Sequence, residues 1–204
     1  MQKSAKEVDL LGVWNLNMED YMVNKYCKSD CWLGRLAGLE PWYSGQNPWS
    51  ALMKDKKIVF VHPFEASMKE QWIKREKIFA SSDIFPECQL RIVKSVQTLA
   101  GNADTRFDSW FDALEYIFDE VMLEEFDIAI IGCGAYGFPL AAKIKRAGKQ
   151  AIHLGGATQL FFGIKGRRWD THPVISKLYN EYWIRPLPED IIENSDRVEK
   201  GCYW

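Results

Sequence analysis

Residues 132–137 read Gly132-Cys133-Gly134-Ala135-Tyr136-Gly137, a G-x-G-x-x-G run between an apolar stretch and an amphipathic one. Glycines at this spacing allow a tight turn and a close approach of the backbone. They also leave the first amides of the following helix facing an anion such as a phosphate. A second glycine-rich turn, Gly155-Gly156, leads into Lys165-Gly166-Arg167-Arg168-Trp169. Lys165, Arg167 and Arg168 lie within four residues of one another, a cluster suited to a diphosphate. His62 and Glu65 belong to a third turn, His62-Pro63-Phe64-Glu65, and are candidate catalytic groups: His62 as a base or phosphate contact, Glu65 as a base. Other chemistries lack their usual residues. No G-x-S-x-G, H-E-x-x-H or G-x-x-x-x-G-K-S/T run occurs. The run His153-Leu154-Gly155-Gly156 carries no acid to hold a dinucleotide ribose, which counts against a nicotinamide or flavin cofactor.

These turns need elements to place them. Ile58-Val59-Phe60-Val61 reads as a buried strand, and residues 66–79 as a helix with Met68, Trp72 and Phe79 at helical spacing. Residues 90–93 form a weaker strand. Asp108 is the expected cap of a helix over 109–123, whose Trp110, Phe111, Leu114, Ile117, Phe118 and Val121 make one face. A strand over 126–131, a helix over about 138–147 closed by Gly148, and a strand over 150–154 complete the series. Strands alternating with helices predict an α/β fold, a Rossmann-like, mostly parallel sheet flanked by helices, within a single domain over 1–204. Residues 1–55 are expected to form a helical N-terminal layer, 56–170 the core, and 171–204 a helix and an extended surface strap. All three turns then fall at C-terminal ends of strands, where open parallel sheets bind ligands.

Composition narrows the ligand. The chain of 204 residues carries 26 Lys and Arg against 28 Asp and Glu, a formal charge of −2, so no basic face is available for nucleic acid. Hydrophobic residues at 47% and charged ones at 26% describe a protein with a packed core. The five cysteines are odd in number and form no C-x-x-C pair, which predicts free thiols. The first residues lack the apolar stretch of a signal peptide, and no run approaches a bilayer span, so a cytoplasmic location is expected. Aromatic residues reach 14%; Trp42, Tyr43, Trp49, Tyr136 and Trp169 fall near Gly- or Pro-rich turns and are expected to stack on sugar or base rings.

In their order and spacing, Lys56-Lys57-Ile58-Val59-Phe60-Val61-His62-Pro63-Phe64, Ile130-Ile131-Gly132-Cys133-Gly134-Ala135-Tyr136-Gly137 and Lys149-Gln150-Ala151-Ile152-His153-Leu154-Gly155-Gly156 resemble the GT-D-type glycosyltransferases and their relatives from surface-polysaccharide gene clusters. The resemblance spans roughly residues 32–170. That family carries Arg-x-Gly-Asp-Gly-Glu near its start, and its acidic pair is implicated in binding a nucleotide-sugar donor with a divalent metal. The matching segment is Arg35-Leu36-Ala37-Gly38-Leu39-Glu40, with Gly38 in place of the Asp.

The resemblance implies a glycosyltransferase acting on a nucleotide-diphosphate sugar and a glycan or sugar acceptor. Glu40 would serve as metal ligand toward Mg²⁺ or Mn²⁺, or, like Glu65, as the base. Arg35, Gly132, Gly134, Gly137, Gly155, Gly156, Lys165, Arg167 and Arg168 would hold the donor. Two other readings stay open: a non-catalytic binding or assembly module of the same lineage, and a nucleotide- or NAD(P)-binding protein.

Overall fold

The computed structural model describes residues 1–99 and 101–204. Its centre is a four-stranded, wholly parallel sheet of β3 (Lys57–His62), β4 (Gln89–Lys94), β5 (Ile128–Ile131) and β6 (Gln150–His153), in the order β4-β3-β5-β6. β3 pairs on both sides, Ile58 lying opposite Leu90 on one flank and Ile128 on the other. Side chains alternate across a strand, so the continuous run Ile58–Val61 supplies both faces of the sheet. Ile58 and Phe60 enter one core with Ile130, whereas Val59 and Val61 enter a second with Ala129 and Ile131. All four side chains of this run are essentially without exposure.

The helices divide between the same two faces. α3 (Glu65–Trp72) joins β3 to β4 and buries Met68 in the first core. α4 (Trp110–Met122) and α5 (Gly137–Arg146) make the later crossovers and pack on the second. α4 forms where its apolar spacing predicts, burying Ala113, Leu114, Ile117 and Val121. Its cap is Ser109, one residue past the expected Asp108: the Ser109 hydroxyl accepts the amide of Asp112, and the Asp112 carboxylate accepts the hydroxyl proton. The helix expected over 66–79 stops as α3 at Trp72 and resumes only as a 3-10 turn over Arg75–Lys77. Gln71 is buried there and donates to the carbonyls of Phe162 and Tyr182, which ties the end of α3 to the chain beyond β6.

The first core is strongly aromatic. Phe60 meets Phe85, Phe161 and Phe162 edge-on at 5.8, 5.7 and 4.9 Å, and Trp42 stacks parallel to Phe79. Edge-to-face pairs of this kind add to the burial of large apolar area. Trp42, Tyr136 and Trp169, expected at a ligand edge, are instead buried; Tyr136 stacks on Trp110 at 4.9 Å. Tyr43 and Trp49 pack partly buried against the first core. Most of the aromatic surplus is therefore core, not ligand surface.

Both ends of the chain differ from a simple layer and strap. Residues 1–55 hold α1 (Gln2–Ala5), α2 (Glu19–Tyr26) and three 3-10 turns, but also a two-stranded parallel sheet of β1 (Leu10–Val13) and β2 (Trp32–Arg35). Four-residue strands interrupted by Gly12 and Gly34 carry too little alternation to be read as strands. The C-terminal stretch is not confined to the surface. Trp204 is buried against Phe64, with ring centres 5.8 Å apart. Asp190, 2% exposed, accepts the amides of Ala66 and Ser67 and the Ser67 hydroxyl at the start of α3.

Among the described residues no helix is long and apolar enough to cross a membrane, and all five cysteines are free thiols. Asp190→Ala would strand the Ser67 donors in a dry site. It is expected to lower unfolding free energy by about 2–3 kcal/mol in urea titrations, whereas Ser109→Ala should cost about 1 kcal/mol.

Candidate functional site

The chain leaves β3 toward β4 and then crosses back to place β5 on the other side of β3. The C-terminal ends of β3 and β5 therefore lie side by side while their loops leave toward opposite faces, the position at which open parallel sheets bind ligands. One loop is His62–Glu65; the other is Gly132–Gly137. The Gly132 amide bonds the Val61 carbonyl at 2.8 Å, which holds the second loop against the end of β3.

The helix N-termini at this edge differ in what fills them. α3 is closed by the buried Asp190 carboxylate. α5 has no side-chain cap, and the 3-10 turn over Gly134–Tyr136 leads directly into it. Gly134 and Ala135 are exposed there, and among the described residues nothing accepts their amide protons. Gly134 has φ +55°, the left-handed region that glycine enters without steric cost, and there is open space where its Cβ would be. Free amides at a helix start carry the positive end of the helix dipole and attract an anion.

The other glycines of the two turns serve packing to a large extent. A Cβ on Gly132 would sit 2.6 Å from the Gly155 carbonyl and the Thr158 hydroxyl. One on Gly137 would collide with the His153 ring, and one on Gly156 with the Tyr203 ring. Gly155 adopts φ +65° with open space beside it, so its role is to turn the chain out of β6. The two glycine turns are thus brought together, Gly132 lying on Gly155 and Thr158. Thr158 is wholly buried and its hydroxyl has no protein partner; Ser95, just past β4, is in the same condition. Two orphaned hydroxyls close to one sheet edge are the kind of exception that a bound polar group would explain.

The remaining expected site residues are placed less favourably. His62 is 3% exposed, and its Nδ1 accepts the Phe64 amide at 3.0 Å. Burial pushes its imidazole down to about 3, so it is neutral and a weak base near pH 7. Glu65 sits on the first turn of α3 and pairs with Lys69 at 2.7 Å. Glu40 accepts the Trp42 indole proton at 2.9 Å, and burial raises its carboxyl above the usual range. Arg35 ends β2 and lines a groove of about 620 Å³ with Glu19 and Asp20. Among the described residues no hydrogen bond or ion pair links Arg35 or Glu40 to the glycine turns.

The basic turn is present but engaged. Lys165 lies over the Tyr179 ring, 5.1 Å from its centre. The Arg167 guanidinium reaches the Lys200 carbonyl. Arg168 donates to the Tyr203 hydroxyl at 3.0 Å and pairs with Glu199 at 3.5 Å. Glu199, Tyr203, Ser95, Thr158 and Asp190 were not singled out from the sequence. A lone polar residue in a loop carries no periodicity; Asp190, Glu199 and Tyr203 are distinguished by contacts that span long stretches of chain, and Ser95 and Thr158 by burial without a partner.

A neutral buried His62 makes stability depend on pH. Its folded pKa, about 3, lies below the ordinary 6.5, so the unfolded chain binds the extra proton and stability falls as pH drops from 6.5 toward 3. His153 is lowered by burial in the same sense. By pH ~5 the His62 contribution amounts to about 2 kcal/mol lost. Urea titrations at pH 7 and 5 are expected to show this slope in the parent chain and a shallower one in His62→Gln. No protein-family model matches the chain, and no match to it was found among curated proteins or solved structures.

Proposed function

We propose that this chain binds a nucleotide-diphosphate sugar where the loops after β3 and β5 diverge, on a sheet we read as Rossmann-like, and that it belongs to cytoplasmic glycosyl-transfer chemistry. The carrying observation is the open start of α5: Gly134 and Ala135 present free amides at the sheet edge, while α3 and α4 are capped by Asp190 and Ser109. The orphaned Thr158 hydroxyl beside Gly132 supports the same position. A diphosphate there would take the amides of Gly134 and Ala135 for one phosphate. Arg168, on the adjoining loop, supplies a cation for the other and would stabilise the nucleoside diphosphate as a leaving group.

The resemblance implies a divalent ion near Glu40. Mg²⁺ requires near-octahedral oxygen ligation. Glu40 offers one carboxylate with one oxygen already accepting from Trp42, and among the described residues no three His, Cys, Asp or Glu side chains converge. That donor set does not fit the metal. Glu65, half-buried at the end of the β3 loop, is the carboxylate closest along the chain to that divergence and the better candidate to accept a proton from an acceptor hydroxyl.

The separation of Arg35 and Glu40 from the glycine turns favours a second reading, a binding module without transfer activity. A thermal-shift panel of UDP-, GDP- and dTDP-sugars, each with and without Mn²⁺ and alongside NADP, distinguishes these. We expect stabilisation by one nucleotide-sugar class. Ala135→Asp places a carboxylate where the phosphate would sit, and an acid is well tolerated at a helix start. It should leave the melting temperature intact and weaken nucleotide-sugar binding by about tenfold or more, equivalent to about 1.4 kcal/mol. Stabilisation by NADP alone, or binding unchanged in Ala135→Asp, overturns the assignment. Binding without sugar release in a product assay selects the second reading.

A further inference from the structure

The last turn of the described chain lies on the basic cluster. Arg168 donates its amide to the Cys202 carbonyl at 3.0 Å, and its guanidinium meets the Glu199 carboxylate and the Tyr203 hydroxyl. Gln159 donates to the Tyr203 carbonyl at 3.1 Å, and the Tyr203 ring covers Gly156, where a Cβ would collide with it. The segment that reaches this position is strained: Glu199, Lys200 and Gly201 have φ +48°, +59° and +70°, three successive left-handed residues of which only one is glycine. Such a conformation persists only where its surroundings hold it, and it is a common feature of segments with two states. Glu199 and Lys200 are exposed and are met by Arg168 and Arg167; the Cys202 thiol also donates to the Glu199 carboxylate, and Gly201 is buried with its amide on the Val198 carbonyl.

From these observations we infer that residues 199–203 form a displaceable latch over the Gly155-Gly156 turn, in which the Glu199 carboxylate occupies the guanidinium that a ligand phosphate would take. The inference rests on the diphosphate reading above. A phosphate group carries more charge than a carboxylate and presents more acceptor oxygens to the planar fork of arginine. Transfer of Arg168 from Glu199 to the ligand removes the ion pair that holds 199–201 in the left-handed conformation. The Tyr203 ring is then free to leave Gly156 and open the turn. Asp190 and Trp204 are buried anchors on either side of this segment; between them Glu199 and Lys200 are exposed, Cys202 and Tyr203 half-buried and Gly201 buried, so the movement is local to this turn.

Two measurements on the full chain test the latch. Hydrogen exchange of the 196–204 backbone is followed in the parent, in Glu199→Gln, which removes the charge at nearly constant shape, and in Tyr203→Phe, which removes only the hydroxyl. Affinity for inorganic pyrophosphate and for the panel nucleotide sugars is measured by calorimetry in the same three proteins. Exchange in 199–203 should rise in both variants without ligand and in the parent on adding pyrophosphate. Affinity should rise by about two- to fivefold in Glu199→Gln, the range for loss of an exposed ion pair. Unchanged exchange in both variants overturns the latch whatever the ligand result. Binding by the parent with no gain in Glu199→Gln overturns the latch and leaves the diphosphate site standing. Absence of binding in every protein overturns the site and the latch together.

Discussion

The burial of β3 on both flanks and both faces is the constraint from which the rest of the structure follows. A strand hydrogen-bonded on each side has no edge to expose, and one apolar on each face needs cover above and below. β4 and β5 satisfy the first need, while α3 with the aromatic cluster and α4 with α5 satisfy the second. Because the chain departs from β3 in one direction and later returns on the other, the loops after β3 and β5 diverge. This point of divergence is a product of strand order alone.

What occupies that edge is decided by hydrogen-bond accounting at the helix starts. Each helix begins with amides that its own turns cannot satisfy. α4 uses Ser109, close in sequence, and α3 uses Asp190, which arrives from more than a hundred residues away. α5 has no side-chain cap, and the 3-10 turn that leads into it begins with the amides of exposed Gly134 and Ala135. The carboxylate cap of α3, the hydroxyl cap of α4 and the open third start give the edge a polarity that the overall charge of −2 conceals.

The glycine spacing was legible in the sequence, but its meaning was divided. Gly134 makes a left-handed turn with open space where a Cβ would be. Gly132, Gly137 and Gly156 are required because Thr158, His153 and Tyr203 press on them. A G-x-G-x-x-G run reports that something lies very close to the backbone, and here most of that something is protein. The basic turn at 165–168 was legible as well; that Glu199 and Tyr203 already hold Arg168 was not. The aromatic residues near turns misled for a related reason, since proximity to Gly or Pro in sequence does not measure burial, and Trp42, Tyr136 and Trp169 complete the cores.

The alternation of apolar strands with amphipathic helices from residue 57 to 153 was determined by the sequence itself, because burial on two sheet faces and on one helix face imposes periods of two and 3.6 that local composition records. The positions of the glycine turns at strand ends follow from the same pattern. Tertiary structure alone decided which turns meet, which helix start stays open, and that the final residues return to cap α3 and cover Gly156. Those outcomes depend on contacts between residues far apart in the chain, and such contacts leave no periodic trace in the segments that make them.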